Sequence, residues 1–323
     1  MKAIVAKQPG DAHVMRYVDV PTPRPGKDEV LVRAAAVGVN FIDVYHRSGV
    51  YPVAQRPFTP GMEAAGMVEA IGSGVLDFVP GNRVAYTGII GSYAEFSVVP
   101  ASKLVSLPAN LSFEQGAAIM LQGMTAHYLA TSTFPLKRGD IALVHAGAGG
   151  VGLLLTQLAK ARGAIVITTV STQEKEALSR EAGADHVIRY TECDFAAEAR
   201  RVTDGRGVDV VYDSVGKTTF EKSLDSLRPR GMMVLFGGSS GQVPPLDLQV
   251  LNLKGSLFLT RTNLSHYTAE RAELVQRADE LFNGVERGAL KLRIGRTYPL
   301  SEASRAHVDL EARKTTGKLL LIP

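Results

Sequence analysis

Cysteine is nearly missing from this sequence: Cys193 is the one thiol in 323 residues. A lone cysteine can form neither an intrachain disulfide nor a cysteine-based zinc cluster. A reduced, cytoplasmic home is the compartment that such usage implies. Tryptophan is absent, and basic residues do not cluster: 36 Lys and Arg are dispersed among 32 Asp and Glu. The chain therefore lacks the basic groove with interleaved aromatics that nucleic-acid binding asks for. No apolar run nears the ~18 residues of a membrane span. The opening M-K-A-I-V-A-K-Q-P-G has no signal-peptide core. No Ser-His-Asp arrangement offers itself for nucleophilic catalysis.

What remains is the composition of a soluble globular protein, 45% hydrophobic and 21% charged. Its length fits two domains. The most informative stretch runs from Asp140 to Gly163. An apolar run, D-I-A-L-V-H-A, enters the turn G-A-G-G-V-G, which opens the amphipathic L-L-L-T-Q-L-A-K-A-R-G. Gly147, Gly149 and Gly152 have the G-x-G-x-x-G spacing, with Gly150 and Val151 between them. A second apolar run, Ala164 to Val170, completes a βαβ unit. In that context the glycines let backbone approach a pyrophosphate, and the helix N-terminus supplies free N–H groups.

The second strand identifies the dinucleotide. NAD sites carry an acid there, about 20 residues past the motif, bonded to the ribose 2′-hydroxyl. Here the strand ends I-T-T-V-S-T. Ser171 and Thr172 can bond a phosphate oxygen, and Lys175 would attract a 2′-phosphate that an acid would repel. The expected cofactor is NADPH. Glu174 is the one nearby acid that could be mistaken for a ribose ligand.

The first ~120 residues alternate short β-type runs with Gly/Pro turns. The runs are Ala3–Ala6, Glu29–Ala36, Gly66–Ala70, Arg83–Tyr86, Ala94–Val98 and Lys103–Ser106. Ser112 and Gln115 form a capping-box pattern, so a helix starts there. A further helix is expected over Gly123–Thr131. From Asp140 strands alternate with helices. Later strands are expected at His186–Tyr190, Val208–Asp213, Gly231–Gly237 and Gly255–Thr260, making about six. The tail carries helices near Ala269–Gly288 and Ser301–Ala312 and strands at Gly295–Pro299 and Lys318–Ile322. It is expected to return to the first domain. The fold class is thus α/β: a β-rich domain over 1–122 plus 264–323, and an inserted doubly wound sheet over 123–263.

Several longer motifs carry a resemblance. They are V-G-V-N-F-I-D-V-Y-H-R-S-G-V-Y-P from Val37, P-G-M-E-A-A-G from Pro60 and H-A-G-A-G-G-V-G from His145. V-V-Y-D-S-V-G from Val210, F-G-G-S-S-G from Phe236 and K-G-S-L-F-L-T-R from Lys254 complete the set. The chain resembles the zinc-free quinone oxidoreductase, or zeta-crystallin-like, branch of the medium-chain dehydrogenase/reductase superfamily. This implies a GroES-like domain plus a six-stranded Rossmann domain, with the active site in the cleft between them. It also implies a homodimer whose last Rossmann strands, about 251–260, pair across subunits. Zinc-dependent relatives place Cys near Asn40 and Gly-His-Glu near Gly61. Asn40 and Met62 stand there instead, so His46 and Glu63 do not complete a three-ligand zinc site.

The resemblance implies that Asn40, Tyr45 and Tyr51 position substrate and nicotinamide. Gln122 and Thr125 would touch ribose or nicotinamide. Tyr190 would join Ser171, Thr172 and Lys175 at the adenosine phosphate, with Arg313 near the 2′-phosphate. Ser214, Phe236, Gly237 and Ser240 lie in motifs at strand ends, where ligands of such sheets bind. Arg261 and Asn263 hold the matching place after the sixth strand. Tyr51 is equally readable as packing, and His145 reads as a core histidine. Asp213 reads as a capping carboxylate. The expected activity is NADPH-dependent reduction of quinones. Reduction of activated alkenals, enones or enoyl thioesters is the alternative. AU-rich RNA binding or a structural crystallin-like role ranks below both.

Overall fold

The computed structural model describes residues 1–323. The chain folds into two compact units, Met1–Met124 with Tyr267–Pro323, and Thr125–His266. In chain order the first unit starts with β1 (Lys2–Ala6), β2 (Met15–Asp19), β3 (Glu29–Val39), α1 (Phe41–Ser48) and β4 (Glu63–Ile71). It continues with β5 (Arg83–Thr87), β6 (Phe96–Pro100), β7 (Leu104–Ser106) and α2 (Phe113–Tyr128), the last of which runs on into the second unit. The second unit holds β8 (Ile141–Val144), α3 (Gly150–Ala161), β9 (Ile165–Val170), α4 (Gln173–Glu181) and β10 (His186–Arg189). Then come α5 (Phe195–Arg201), β11 (Val208–Asp213), α6 (Phe220–Ser226), β12 (Leu227–Leu235), α7 (Gln249–Leu253) and β13 (Phe258–Arg261). The chain finishes in the first unit with α8 (Arg271–Glu286), β14 (Ile294–Pro299), α9 (Ala303–Glu311) and β15 (Lys318–Ile322).

The first unit is a mostly antiparallel sheet in the order β14-β15-β3-β4-β5-β7, with β6 also on β3. β3 is central because nearly all its residues are apolar and buried. The tail returns as expected: Leu319, Leu320 and Leu321 pair with Val39, Gly38 and Val37. A Cβ on Gly38 would fall on the Glu63 carboxylate, so the absence of a side chain there makes room for that acid.

The second unit is an all-parallel sheet in the order β10-β9-β8-β11-β12-β13. Counted within the unit this is 3-2-1-4-5-6, the Rossmann order. Parallel strands covered on both faces read as continuous apolar runs, and β11 is buried throughout.

Two expectations change, and one strand was missed. The two helices expected around Ser112 and Gly123 are one helix. The capping box at Ser112 forms, with Ser112 N bonded to Gln115 Oε1 at 2.8 Å and Gln115 N to Ser112 Oγ at 3.2 Å. Gly123 does not break that helix. A Cβ there would lie 2.6 Å from Ile119 Cγ1 and 3.3 Å from Leu281, so the glycine serves close packing. The strand expected at Gly255–Thr260, within the segment 251–260 expected to pair across subunits, is extended only over Phe258–Arg261. Asp247 Oδ1 accepts from Gln249 N at 3.0 Å and starts a helical turn through Leu253, and Gly255 turns the chain at φ 110°. β2 was not legible because its side chains are mostly exposed.

Gly66 tests the packing of the central sheet. A Cβ there would overlap the Arg33 carbonyl oxygen on the paired β3. Gly66→Ala should lower stability by about 2 kcal/mol, as overpacking of a core does. Urea denaturation of the two proteins measures this.

Candidate active site

In the second unit β8 feeds the glycine turn. His145 is buried, with Nδ1 2.8 Å from Thr169 Oγ1 and Nε2 2.9 Å from Ser223 Oγ. Both ring nitrogens are thus satisfied, and burial holds its pKa below the usual value. Gly147 N donates to Thr169 O at 3.0 Å, and Gly149 N to Ala146 O at 2.8 Å. α3 then begins at Gly150, with Gly149 as its N-cap and no acid in its first turn. A Cβ on Gly152 would overlap the Ala146 carbonyl oxygen, and one on Gly147 would lie 2.6 Å from Thr168 Cβ. Gly150, Val151 and Gly152 therefore form a side-chain-poor first turn whose N–H groups have no preceding helical carbonyl. This is a cradle for an anion.

At the end of β9, Thr172 caps α4 by accepting from Lys175 N at 3.3 Å. Lys175 Nζ lies 3.4 Å from Ser171 Oγ. Tyr190 follows β10, the neighbouring strand, is 41% exposed and donates its N–H to Val170 O at 3.1 Å. Ser171, Thr172, Lys175 and Tyr190 are thus gathered at one strand end. Glu174 is exposed in the first turn of α4. Arg313 belongs to the other unit, exposed in the turn after α9 at φ 56°.

The exits of β11 and β12 are laced together. Asp213 Oδ1 accepts from Val215 N at 2.7 Å and Gly216 N at 2.9 Å, and Oδ2 accepts from Thr219 Oγ1 and Ser223 Oγ. It is a capping carboxylate with its oxygens engaged. A Cβ on Gly237 would lie 2.6 Å from Ser214 O. Ser240 Oγ donates to Val215 O at 2.7 Å, and Phe236 N to Asp213 O at 2.9 Å. Ser214, Phe236, Gly237 and Ser240 so share one rim. Arg261 donates to Leu235 O at 3.2 Å, and Asn263 Oδ1 accepts from Ser265 N at 3.1 Å. Thr125, in α2, is buried.

The first unit contains a buried polar cluster. Asn40 ends β3's extension and precedes α1. Its Nδ2 donates to Glu63 Oε1 at 2.5 Å, and its Oδ1 accepts from Lys318 Nζ at 2.9 Å and from Gln122 Nε2 at 3.2 Å. Glu63 is itself ion-paired with Lys318 and accepts from Leu121 N at 2.6 Å. Neither Glu63 nor Lys318 is exposed. Tyr45 and Tyr51 are half-buried and meet edge to face, with ring centroids 5.2 Å apart. An ammonium on Glu63, with Asn40 and Met62 beside it, is a poor donor set for zinc. His46 is buried, and that burial lowers its pKa. No group of three or more His, Cys, Asp or Glu is placed to hold a metal ion.

A second buried chain holds α1 and was not read from sequence. Arg47 donates from Nη1 to His307 Nδ1 at 3.1 Å and pairs with Glu311. Arginine only donates, so the His307 proton is on Nε2, 2.9 Å from Tyr93 OH. Tyr93 OH in turn donates to Asp43 Oδ2 at 2.9 Å, which also accepts from Asn40 N at 2.8 Å. Burial holds His307 down at about 3 and pushes Asp43 up to about 7. Asp43, three residues after Asn40, was the one visible signal of this network, a capping acid. His307 and Arg47 come from distant segments.

A β-rich unit interrupted by a Rossmann unit with an anion cradle defines a two-domain dehydrogenase/reductase. Residues 26–109 match the alcohol dehydrogenase GroES-like domain, and residues 150–280 the zinc-binding dehydrogenase domain. The chain is 48% identical over 315 residues to quinone oxidoreductase of Pseudomonas aeruginosa, covering 97% of each. It is 44% identical over 331 residues to 2-haloacrylate reductase of a Burkholderia species, covering 100% of this chain and 99% of that one. The crystal structure of Escherichia coli quinone oxidoreductase complexed with NADPH aligns with a TM-score of 0.98 at 44% identity, covering 100% of both chains. The chain belongs to the quinone oxidoreductase family.

The His307 chain gives a pH prediction. In the folded protein His307 stays neutral, whereas unfolded histidine takes up a proton below its ordinary value of 6.5. Stability is therefore lost as pH falls from 6.5 towards 3, at up to about 1.4 kcal/mol per pH unit. Asp43 acts oppositely: its raised pKa adds stability as pH falls from about 7 towards its ordinary 3.8. His307→Gln removes the loss and leaves the gain. The variant's stability relative to wild type should improve between pH 7 and pH 5, measured by urea denaturation at both.

Proposed function

We propose that this protein is an NADPH-dependent quinone reductase working without zinc. The observation that carries the cofactor is the end of β9. It offers Ser171, Thr172 and Lys175 where a ribose-binding acid would stand in an NAD site. The glycine cradle fits the pyrophosphate, because a side chain at Gly152 would overlap the turn. NADPH bound there supplies a hydride to the acceptor. The protein binds, aligns and excludes water.

In this reading Gly147, Gly149, Gly150, Val151 and Gly152 hold the pyrophosphate. Ser171, Thr172, Lys175 and Tyr190 hold the adenosine phosphate, with Arg313 a further basic contact. Ser214, Phe236, Gly237, Ser240, Arg261 and Asn263 line the strand ends towards the nicotinamide, and Thr125 adds a hydroxyl. Asn40, Tyr45, Tyr51 and Gln122 position nicotinamide and acceptor. The domain limits proposed with it are 1–122 plus 264–323 and 123–263.

A second reading, reduction of an activated C=C bond, is favoured by the likeness to 2-haloacrylate reductase. Hydride addition to such a substrate develops negative charge on the carboxylate or carbonyl side, which calls for hydrogen-bond donors there. Turnover of 1,4-benzoquinone against 2-chloroacrylate and 2-alkenals, each with NADPH, separates the two. Quinone turnover should dominate; acrylate turnover with negligible quinone turnover would reverse the order.

Fluorescence titration should give much tighter binding of NADPH than of NADH. Lys175→Met should weaken NADPH binding about tenfold, or ~1.4 kcal/mol, and leave NADH binding unchanged. Equal binding of both nucleotides by the wild type would refute the phosphate pocket.

We also propose that the protein is a cytoplasmic homodimer pairing through the β13 edge. Phe258 is 57% exposed on that strand, and Leu253 is 81% exposed at the end of the preceding α7; an unpaired apolar strand is a template for a second copy. Light scattering should give twice the 34.5 kDa chain mass. Phe258→Lys should shift the protein to monomer.

A further inference from the structure

We infer that Lys318 is a positioning residue: through Glu63 and Asn40 it fixes which way round the Gln122 amide stands. The inference rests on the NADPH-dependent reading, because it assigns Gln122 a role towards the nicotinamide.

An amide has a donor end and an acceptor end of nearly equal shape, so its orientation is set by partners. Lys318 Nζ can only donate, and it faces Asn40 Oδ1 at 2.9 Å. The Glu63 carboxylate, ion-paired with the same ammonium, accepts, and it faces Asn40 Nδ2 at 2.5 Å. Turning Asn40 over would set N–H against ammonium and carbonyl against carboxylate. Asn40 is therefore locked. Its Oδ1 is also where Gln122 reaches, at 3.2 Å, so Gln122 must offer Nε2 to it. That leaves Gln122 Oε1, an acceptor, as the end not engaged with Asn40, on a half-buried side chain. An acceptor is the group that recognises the amino end of a nicotinamide carboxamide.

The lock is built on buried parts. Asn40 is 4% exposed, and the Lys318 and Glu63 side chains are 2% and 0% exposed. Glu63 also accepts from Leu121 N, the residue before Gln122, so the same carboxylate fixes the backbone from which Gln122 projects. Asn40 itself, with both amide ends engaged inside the protein, orients Gln122.

The test uses full-length protein. Lys318→Met alone leaves a buried carboxylate unpaired and is expected to fold poorly. E63Q/K318M removes both charges together and keeps the volume. Three proteins carry the argument: E63Q/K318M, Q122A and the triple variant. The hydride-transfer rate constant is read by stopped-flow loss of NADPH fluorescence on mixing with 1,4-benzoquinone. If Lys318 acts through Gln122, the first two each lose about tenfold and the triple variant loses no more than either, since coupled sites are not additive. NADPH affinity should change less than rate. A crystal structure of cofactor-free E63Q/K318M should show the Gln122 amide no longer donating to Asn40 Oδ1. Multiplying losses in the triple variant, or an unchanged Gln122 amide in E63Q/K318M, would overturn the inference. Wild-type protein that oxidises no NADPH with any quinone would defeat the underlying reading instead. The cofactor-free structure would still decide the lock.

Discussion

The first unit depends on one buried carboxylate. Glu63 opens β4 with no exposure, and an ionised acid is tolerated there only when its charge and lone pairs are all met. Its three partners come from separate parts of the chain: Asn40 before α1, Leu121 within α2 and Lys318 at the start of β15. No local structure could bring these together. The tail must return across β3 for Lys318 to arrive, and the pairing of Leu319–Leu321 with Val37–Val39 does this. Gly38 completes the arrangement by leaving the volume that the carboxylate fills. Burial of the pair is a poor source of stability in itself. What it provides is a fixed relation between the loop, helix and strand that surround Asn40.

The second unit solves a different problem by the opposite means. Its cradle uses backbone rather than charge: glycines at 147, 149, 150 and 152, and the open first turn of α3. Side chains are excluded by geometry, since a Cβ on Gly152 would strike Ala146. The charged and polar groups proposed to choose between nucleotides stand one strand away, at the end of β9. The division is physical. In the proposed reading a pyrophosphate common to both nucleotides would be met by N–H groups, and the group that differs between them by replaceable side chains.

This contrast explains what was legible in the sequence. The cradle is local, so the order apolar strand, glycine turn, amphipathic helix announced it within about two dozen residues. The strands of the parallel sheet were legible for the same reason, as continuous apolar runs. The capping box at Ser112 was read from a spacing of three residues. Failures followed contacts that spacing does not encode. Gly123 looks like a helix break, but Leu281 packs against it from a helix far along the chain. The segment 251–260 looks like one strand, but Asp247 turns its first part into helix. Lys318 read only as the first residue of an apolar strand, and Glu63 only as a leftover metal ligand. Their pairing spans 255 positions. His307 and Arg47 were equally hidden, 260 positions apart.

The same pair bears on the kind of acceptor the site suits. A metal at this place would bring positive charge to polarise a substrate oxygen. Here the positive charge, Lys318, is paired with Glu63, and its ammonium donates to Asn40 and Glu63. The cluster pairs its two charges and orients the Asn40 and Gln122 amides. In the proposed reading such a site would align reactants and polarise them little. It therefore matches acceptors that already carry their own activation. A quinone has two conjugated carbonyls, and a haloacrylate has an electron-withdrawing halogen and carboxylate on the double bond. An unactivated ketone, which needs a Lewis acid or a proton donor to take a hydride, is a poor match for this electrostatic design. Two of the relatives, quinone oxidoreductase and 2-haloacrylate reductase, are named for acceptors that carry their own activation. In the proposed reading discrimination between them would fall to shape and hydrogen bonding around the acceptor, a role for Tyr45 and Tyr51, which stand edge to face, rather than to charge.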